Sequence, residues 1–334
     1  MSRRLSGFQP TGHLQLGNLL GAIRPTVAGQ DDHESVVLVV DLHAMTVDHD
    51  PARLRELTLE TATLLLAAGV DPERSLFYLQ SHVPGHTELH YLLECATSYG
   101  EAHRMIQFKE KAAGQSQVRL SLLTYPTLMA ADILLHGADE VPVGADQSQH
   151  VELARDIAVR FNGRYGPTFV VPKAVNPGFT GRLRELSDPS AKMGKTNGTD
   201  TGVIYLLDPP EVVRHKVLRA VTDPGSEVRY DPVGRPGVTN LLDILAGCVD
   251  DNPTVLARSF TSYRELKEAV ADGVTATLQP IQARYADLRK DPDTVHDILA
   301  RGALRAREEV GRQVDLVRDR LGLVCVRTPD KERS

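Results

Sequence analysis

Cysteine is scarce. Cys95, Cys248 and Cys325 stand far apart and form no CxxC motif or disulfide framework, which suits a reducing compartment. No apolar run approaches the ~20 residues needed to cross a bilayer. The opening MSRRLSGFQP carries charge but no apolar signal core, so a mature cytoplasmic protein is expected. Bulk positive charge is missing too. The net charge of −6 excludes nucleic-acid binding by overall charge and leaves only a local basic patch for such a partner. Lysine is rare, 9 residues against 29 arginines, yet four of the nine fall in two short segments, Lys109/Lys111 and Lys192/Lys195. Tryptophan does not occur, which decides nothing alone, and no internal repeat or low-complexity segment is present.

What is present is apolar content of 41% in 334 residues, enough for a sizeable core in one large domain or two ordinary ones. Strand signals fall at Leu5–Phe8, Ser35–Leu42, Arg74–Gln80, Asp139–Gly144 and Thr168–Val171, the fourth weakened by Pro142. The run SVVLVVDL is unbroken, as for a strand buried on both faces of a parallel sheet. Helices are expected at Gly17–Ala28, from Asp50 and Pro51 to about Gly69, and at His86–Thr97, Tyr125–Leu135 and Gln147–Asn162. This alternation predicts an α/β fold, a doubly wound, Rossmann-like parallel sheet, over residues 1–205. Thereafter Asp208–Ala220, Thr239–Gly247, Ser262–Tyr285 and Thr294–Leu321 read as helices. They suggest an all-helical unit over 206–290, a last helix within 291–326 that packs back toward the first domain, and a tail at 327–334.

Open parallel sheets bind ligands at the carboxyl ends of their strands. There FQPTGHLQLGN (Phe8–Asn18) hands a strand to a helix. A helix starting at Gly17–Asn18 aims free N–H groups and its positive dipole end at that spot. Gly17 lets a phosphate or ribose approach the backbone, and Gln9 and Asn18 bond phosphate oxygens without adding charge. Ordinary capping of a strand-to-helix loop fits the same residues. SDPSAKMGKTNGTD (Ser187–Asp200) is a polar loop with Lys192 and Lys195 three apart. It is either a solvated loop or one that closes over a polyphosphate. Asp132 lies in LMAADILL, an apolar helix where a carboxylate must be bonded, and Tyr125, Met129 and Asp132 share its face. His82, His86 and His90 are spaced by four, but Pro84 and Gly85 are expected to interrupt that helix and spoil a metal site.

QLGN (Gln15–Asn18) and KMGKT (Lys192–Thr196) stand where class I aminoacyl-tRNA synthetases carry HIGH and KMSKS. With TYPTLMAADILL, VPVGADQSQHVELARDIAVRFN and AVTD, residues 5–322 resemble the bacterial tryptophanyl-tRNA synthetase family. The first HIGH histidine is replaced by Gln15. Gly194 replaces the first serine of KMSKS, which removes a hydroxyl and adds ordering entropy to closure. The resemblance implies activation of tryptophan by ATP, with Mg²⁺ carried on the ATP, and transfer to tRNA(Trp) by a homodimer whose interface lies near residues 80–135.

It further implies catalytic roles for Gln15, Asn18, Lys192 and Lys195. ATP would meet Gln9, Pro10, Thr11, Gly17, Lys111, Gly144, Ala145, Asp146 and Leu183, with Met193, Gly194 and Thr196 in the closing loop. Asp146 can equally cap a helix, and Lys111 can equally sit on a solvated helix end. Tryptophan would meet Gly7, Phe8, His43, Tyr125, Met129, Val141, Val143 and Gln147, with Asp132 accepting the indole N–H; a core role for His43 fits as well. A tyrosyl-tRNA synthetase or a catalytically weak tryptophan-sensing relative is the alternative. The arginines of the last helix (Arg301, Arg305, Arg307, Arg312, Arg318, Arg320) alternate with acids, the pattern of a solvated, salt-bridged face.

Overall fold

The computed structural model describes residues 1–114, 117–144, 147–175, 183–194, 200–225 and 227–324. Five parallel strands form its one sheet among the described residues: β1 (Arg3–Phe8), β2 (Glu34–Val39), β3 (Ser75–Leu79), β4 (Glu140–Pro142) and β5 (Lys173–Val175), in the order 3-2-1-4-5. The chain winds outward from β1 to β3, then returns across β1 to β4. That reversal puts a topological switch point between β1 and β4, at their carboxyl ends. β4 is three residues long because Pro142 has no N–H to extend the ladder.

Alternate residues of β2 and β3 feed two cores. Val37, Val39, Phe77 and Leu79 pack with the helices Arg24–Ala28 and Pro51–Ala67. That core runs on without a break into the helical half, through Leu241 and Leu242 of Pro236–Val249 and Val270 and Val274 of Tyr263–Lys290. Val36, Leu38, Leu76 and Tyr78 face the other way, toward the helices Gly85–Glu94, Leu120–Leu135, Ser148–Tyr165 and Pro292–Arg320. The last of these lies so close to β3 that a Cβ on Gly302 would sit 1.8 Å from the Phe77 carbonyl oxygen.

Four local expectations are corrected. Thr168–Val171 is not a strand; β5 begins at Lys173. The Asn162 carboxamide accepts from Thr168 N (3.0 Å) and Phe169 N (2.8 Å) and donates to Phe169 O (2.8 Å), so these backbone groups are spent before a ladder can form. Gly17–Ala28 is not one regular helix: Leu16–Asn18 leads into a π-turn, Leu19–Ile23, before Arg24–Ala28. Pro25 explains it, since its ring would crowd the Gly21 carbonyl in an α-helix. Pro84 does not interrupt a helix but precedes one, so His86 and His90 share Gly85–Glu94. The second strand stops at Val39, and Asp41–Ala44 is already helical.

Candidate active site

A cavity of about 380 Å³ opens at the switch point. Gly7, Phe8 and Gln9 enter it from the end of β1, Val141 and Val143 from β4 and just beyond. His43 comes from the turn after β2, and Tyr125, Met129 and Asp132 from one face of Leu120–Leu135. Thr11, Asn18, Lys111 and Gln147 complete the part anticipated from sequence. Lys111 Nζ stands over the Tyr125 ring, 5.2 Å from its centre.

Asp132 is 2% exposed. Gln80 Nε2 donates to its Oδ1 (2.7 Å) and Oδ2 (2.9 Å), His86 Nδ1 to Oδ1 (2.6 Å) and His43 Nε2 to Oδ2 (3.0 Å). Burial works against the charged form, but the bonds from His43 and His86 outweigh it and hold the carboxyl below its ordinary value. Tyr125 makes the opposite end polar: its hydroxyl donates to Gln107 Oε1 (3.0 Å) and accepts from His150 Nε2 (2.8 Å). Burial, aided by the charge of Glu110, pushes this phenol well above its ordinary pKa. His43 meets the Tyr125 ring edge to face at 6.3 Å, and its carbonyl accepts from Gln9 Nε2 (2.9 Å).

Gln15, 5% exposed, caps the helix start: its Oε1 accepts from Gly17 N, while its own N donates to Asn18 Oδ1 (3.1 Å). Its Nε2 donates to the Met193 carbonyl at 3.1 Å. The two signature segments, 178 residues apart, are therefore tied together by one side chain. Leu16 N also donates to Ile204 O (2.9 Å), just beyond the lysine loop. The space over Gly17 is taken by the Gln15 carboxamide, at 2.9 Å from where a Cβ would lie, rather than left open for a ligand.

Several anticipated residues lie outside the cavity. Pro10, Gly17 and Gly144 do not line it, and Leu183 and Met193 are core residues joined by Met193 N donating to Leu183 O (3.0 Å). Lys192 pairs with Arg184 in a bridge, with Gly194 two residues on. Ala145, Asp146, Lys195 and Thr196 lie outside the described residues. Gln80 and His86, the donors to Asp132, were not anticipated in that role. A polar residue closing an apolar strand at the sheet's carboxyl edge was the available signal for Gln80. His86 had none beyond its spacing. Among the described residues no group of three His, Cys, Asp or Glu is placed to hold a metal ion.

Residues 1–279 match the family described as tRNA synthetases class I (W and Y). The chain is 54% identical over 330 residues to "Tryptophan--tRNA ligase 1" of Streptomyces coelicolor, covering 97% of this chain and 98% of that one. The chain belongs to the tryptophanyl-tRNA synthetase family. Its fold matches the crystal structure of tryptophanyl-tRNA synthetase from Mycoplasma pneumoniae with a TM-score of 0.90 at 35% identity, over 97% of this chain and 98% of that one. The Campylobacter jejuni enzyme, solved with ADP and tryptophan, matches with a TM-score of 0.82 at 31% identity, over 96% and 100%. No described helix is long and apolar enough to cross a membrane.

Proposed function

We propose that the cavity binds L-tryptophan with its indole N–H on Asp132, and that the chain joins it to tRNA(Trp) at the expense of ATP. A buried, ionised, acceptor-only group at the end of an apolar slot on the switch point carries this assignment. An indole N–H is donor-only and needs one acceptor. Three donors already meet the carboxylate, one of them, the Gln80 amide, shared between both oxygens. Drawing that amide wholly onto Oδ1 frees a lone pair of Oδ2 for the ligand. A tyrosine hydroxyl fits less well. It also seeks a donor, and the donors bonded to this carboxylate, His43, Gln80 and His86, are spent on it.

In the first step the tryptophan carboxylate attacks the α-phosphate of ATP and pyrophosphate leaves. In the second a terminal hydroxyl of tRNA takes the aminoacyl group. Neither step needs an enzyme nucleophile; positioning and charge stabilisation do the work. Asn18, Gln9 and Thr11 sit on the cavity wall toward the helix start, where the nucleotide phosphates meet backbone N–H groups and the helix dipole. Lys192, Lys195 and Lys111 neutralise the leaving pyrophosphate, with Mg²⁺ arriving as part of the ATP substrate. Gln15 touches no reacting atom and is a positioning residue that holds the lysine loop against the helix start. The working form is a cytoplasmic homodimer.

Tryptophan-dependent exchange of pyrophosphate into ATP, with tyrosine as control, tests this directly. Exchange with tryptophan alone is expected. Exchange with tyrosine, or with neither, contradicts it.

A further inference from the structure

The bonds that hold Asp132 do not end at His86. His86 Nε2 meets the Tyr78 hydroxyl at 2.8 Å, and that hydroxyl meets His136 Nε2 at 2.5 Å. His136 Nδ1 then meets Glu309 Oε1 at 3.1 Å, and Glu309 is paired with Arg3 at 2.9 Å. Asp132, His86, Tyr78 and His136 are all buried, and Glu309 and Arg3 line a second cavity of about 410 Å³ on a different part of the molecule. The chain thus runs from the amino-acid pocket, through β3, to the C-terminal helix Pro292–Arg320.

Its protons can be counted. Between Asp132 and Glu309 there are four links, and each needs one hydrogen. Two ionised carboxylates contribute none. One neutral imidazole, one phenol and a second neutral imidazole contribute one apiece, a total of three. All four links form only if one imidazole carries a second proton. We propose that Glu309, His136, Tyr78 and His86 are positioning residues for Asp132, a buried chain that retains one proton beyond its neutral imidazoles and thereby keeps the pocket carboxylate ionised and fixed.

Charged groups surround the two imidazoles on several sides. The titratable and charged groups about His86 are Asp132 and His136 from Leu120–Leu135 and its end, Tyr78 from β3 and Glu309 from the last helix. Beyond them lie Arg3 from β1, His43 from the turn after β2, and Glu88 and His90 on its own helix. Burial pushes His136 toward neutrality, and Glu309, held below its ordinary pKa against burial by His136 and Arg3, shares its charge with Arg3. Of the two imidazoles, His86 lies nearer its carboxylate, 2.6 Å from Asp132, against 3.1 Å between His136 and Glu309. Tyr78 donates to one imidazole and accepts from the other, and His136 donates to Glu309.

Glu309→Gln gives a sharp test, because its new amide donates to His136 Nδ1 and satisfies all four links with neutral imidazoles. ¹⁵N-histidine-labelled full-length protein is followed by NMR up to about pH 8, where ordinary histidines are neutral. One imidazolium is expected to persist in the wild type and to vanish in Glu309→Gln. Absence of that signal in the wild type, or its survival in the variant, overturns the proposal. The chain bears on the reaction only if the cavity holds tryptophan, as proposed above. Tyr78→Phe, which cuts it without emptying the core, is expected to raise KM for tryptophan about fivefold with KM for ATP unchanged. Equal shifts in both, or none, contradict a positioning role. If Asp132→Asn leaves KM for tryptophan unchanged, the pocket assignment fails while the NMR result still decides the chain.

Discussion

Asp132 was visible from sequence because a carboxylate in LMAADILL must be bonded to something. Its partners were not visible, since they lie 46, 52 and 89 residues away and no local pattern links them. The same limit applied to Gln15, legible as a motif position but not as a strut to Met193. A half-buried acid, Asp243, behaves differently. Burial, only partly offset by a bond from Tyr230, raises its pKa to about 6. Between about 4 and 6 the folded chain then holds a proton that the unfolded chain has released, so stability falls as pH rises through that window. Asp243→Asn is expected to stabilise the protein by about 1 kcal/mol at pH 7.5, discounted for partial exposure, and by almost nothing at pH 4. Urea unfolding at the two pH values checks this.

Among the elements, those with a strong internal signal were placed within a few residues. Asp50 caps Pro51–Ala67 by accepting from Arg53 N at 2.8 Å, as its sequence position suggested. Errors arose where a side chain or a proline redirected the backbone: Asn162 at Thr168–Phe169 and Pro25 at the start of Arg24–Ala28. Gly302 marks the closest approach of the last helix to β3, and Gly302→Ala is expected to cost about 2–3 kcal/mol despite alanine's better helix propensity. A fall in the urea midpoint measures it. Gln15→Ala releases the lysine loop from the helix start. It is expected to lower kcat for exchange about tenfold with KM for tryptophan little changed, because loop ordering, not ligand contact, is lost.

At the scale of the whole molecule, one apolar core joins the sheet to the helical half, from Val37 to Val274. Removing everything after residue 205 is expected to abolish cooperative unfolding by circular dichroism, since Leu65, Val203 and Ile204 would lose their cover. The overall order of strand and helix was readable because periodicity is local; this merging was not, because it depends on packing between distant segments. The arginine-rich last helix matched its mixed charge pattern only in part. Arg318 pairs with Glu88, but Arg305 and Arg307 donate to the carbonyls of Pro72 and His82 and lash the helix down. The account centres on a slot that recognises an indole through Asp132, and the absence of tryptophan from the chain makes it directly measurable. Added tryptophan is the only indole present, so its fluorescence reports binding without background. Titration is expected to show saturable binding that Asp132→Ala weakens about a hundredfold while KM for ATP stays the same; an unchanged affinity in that variant would contradict the account.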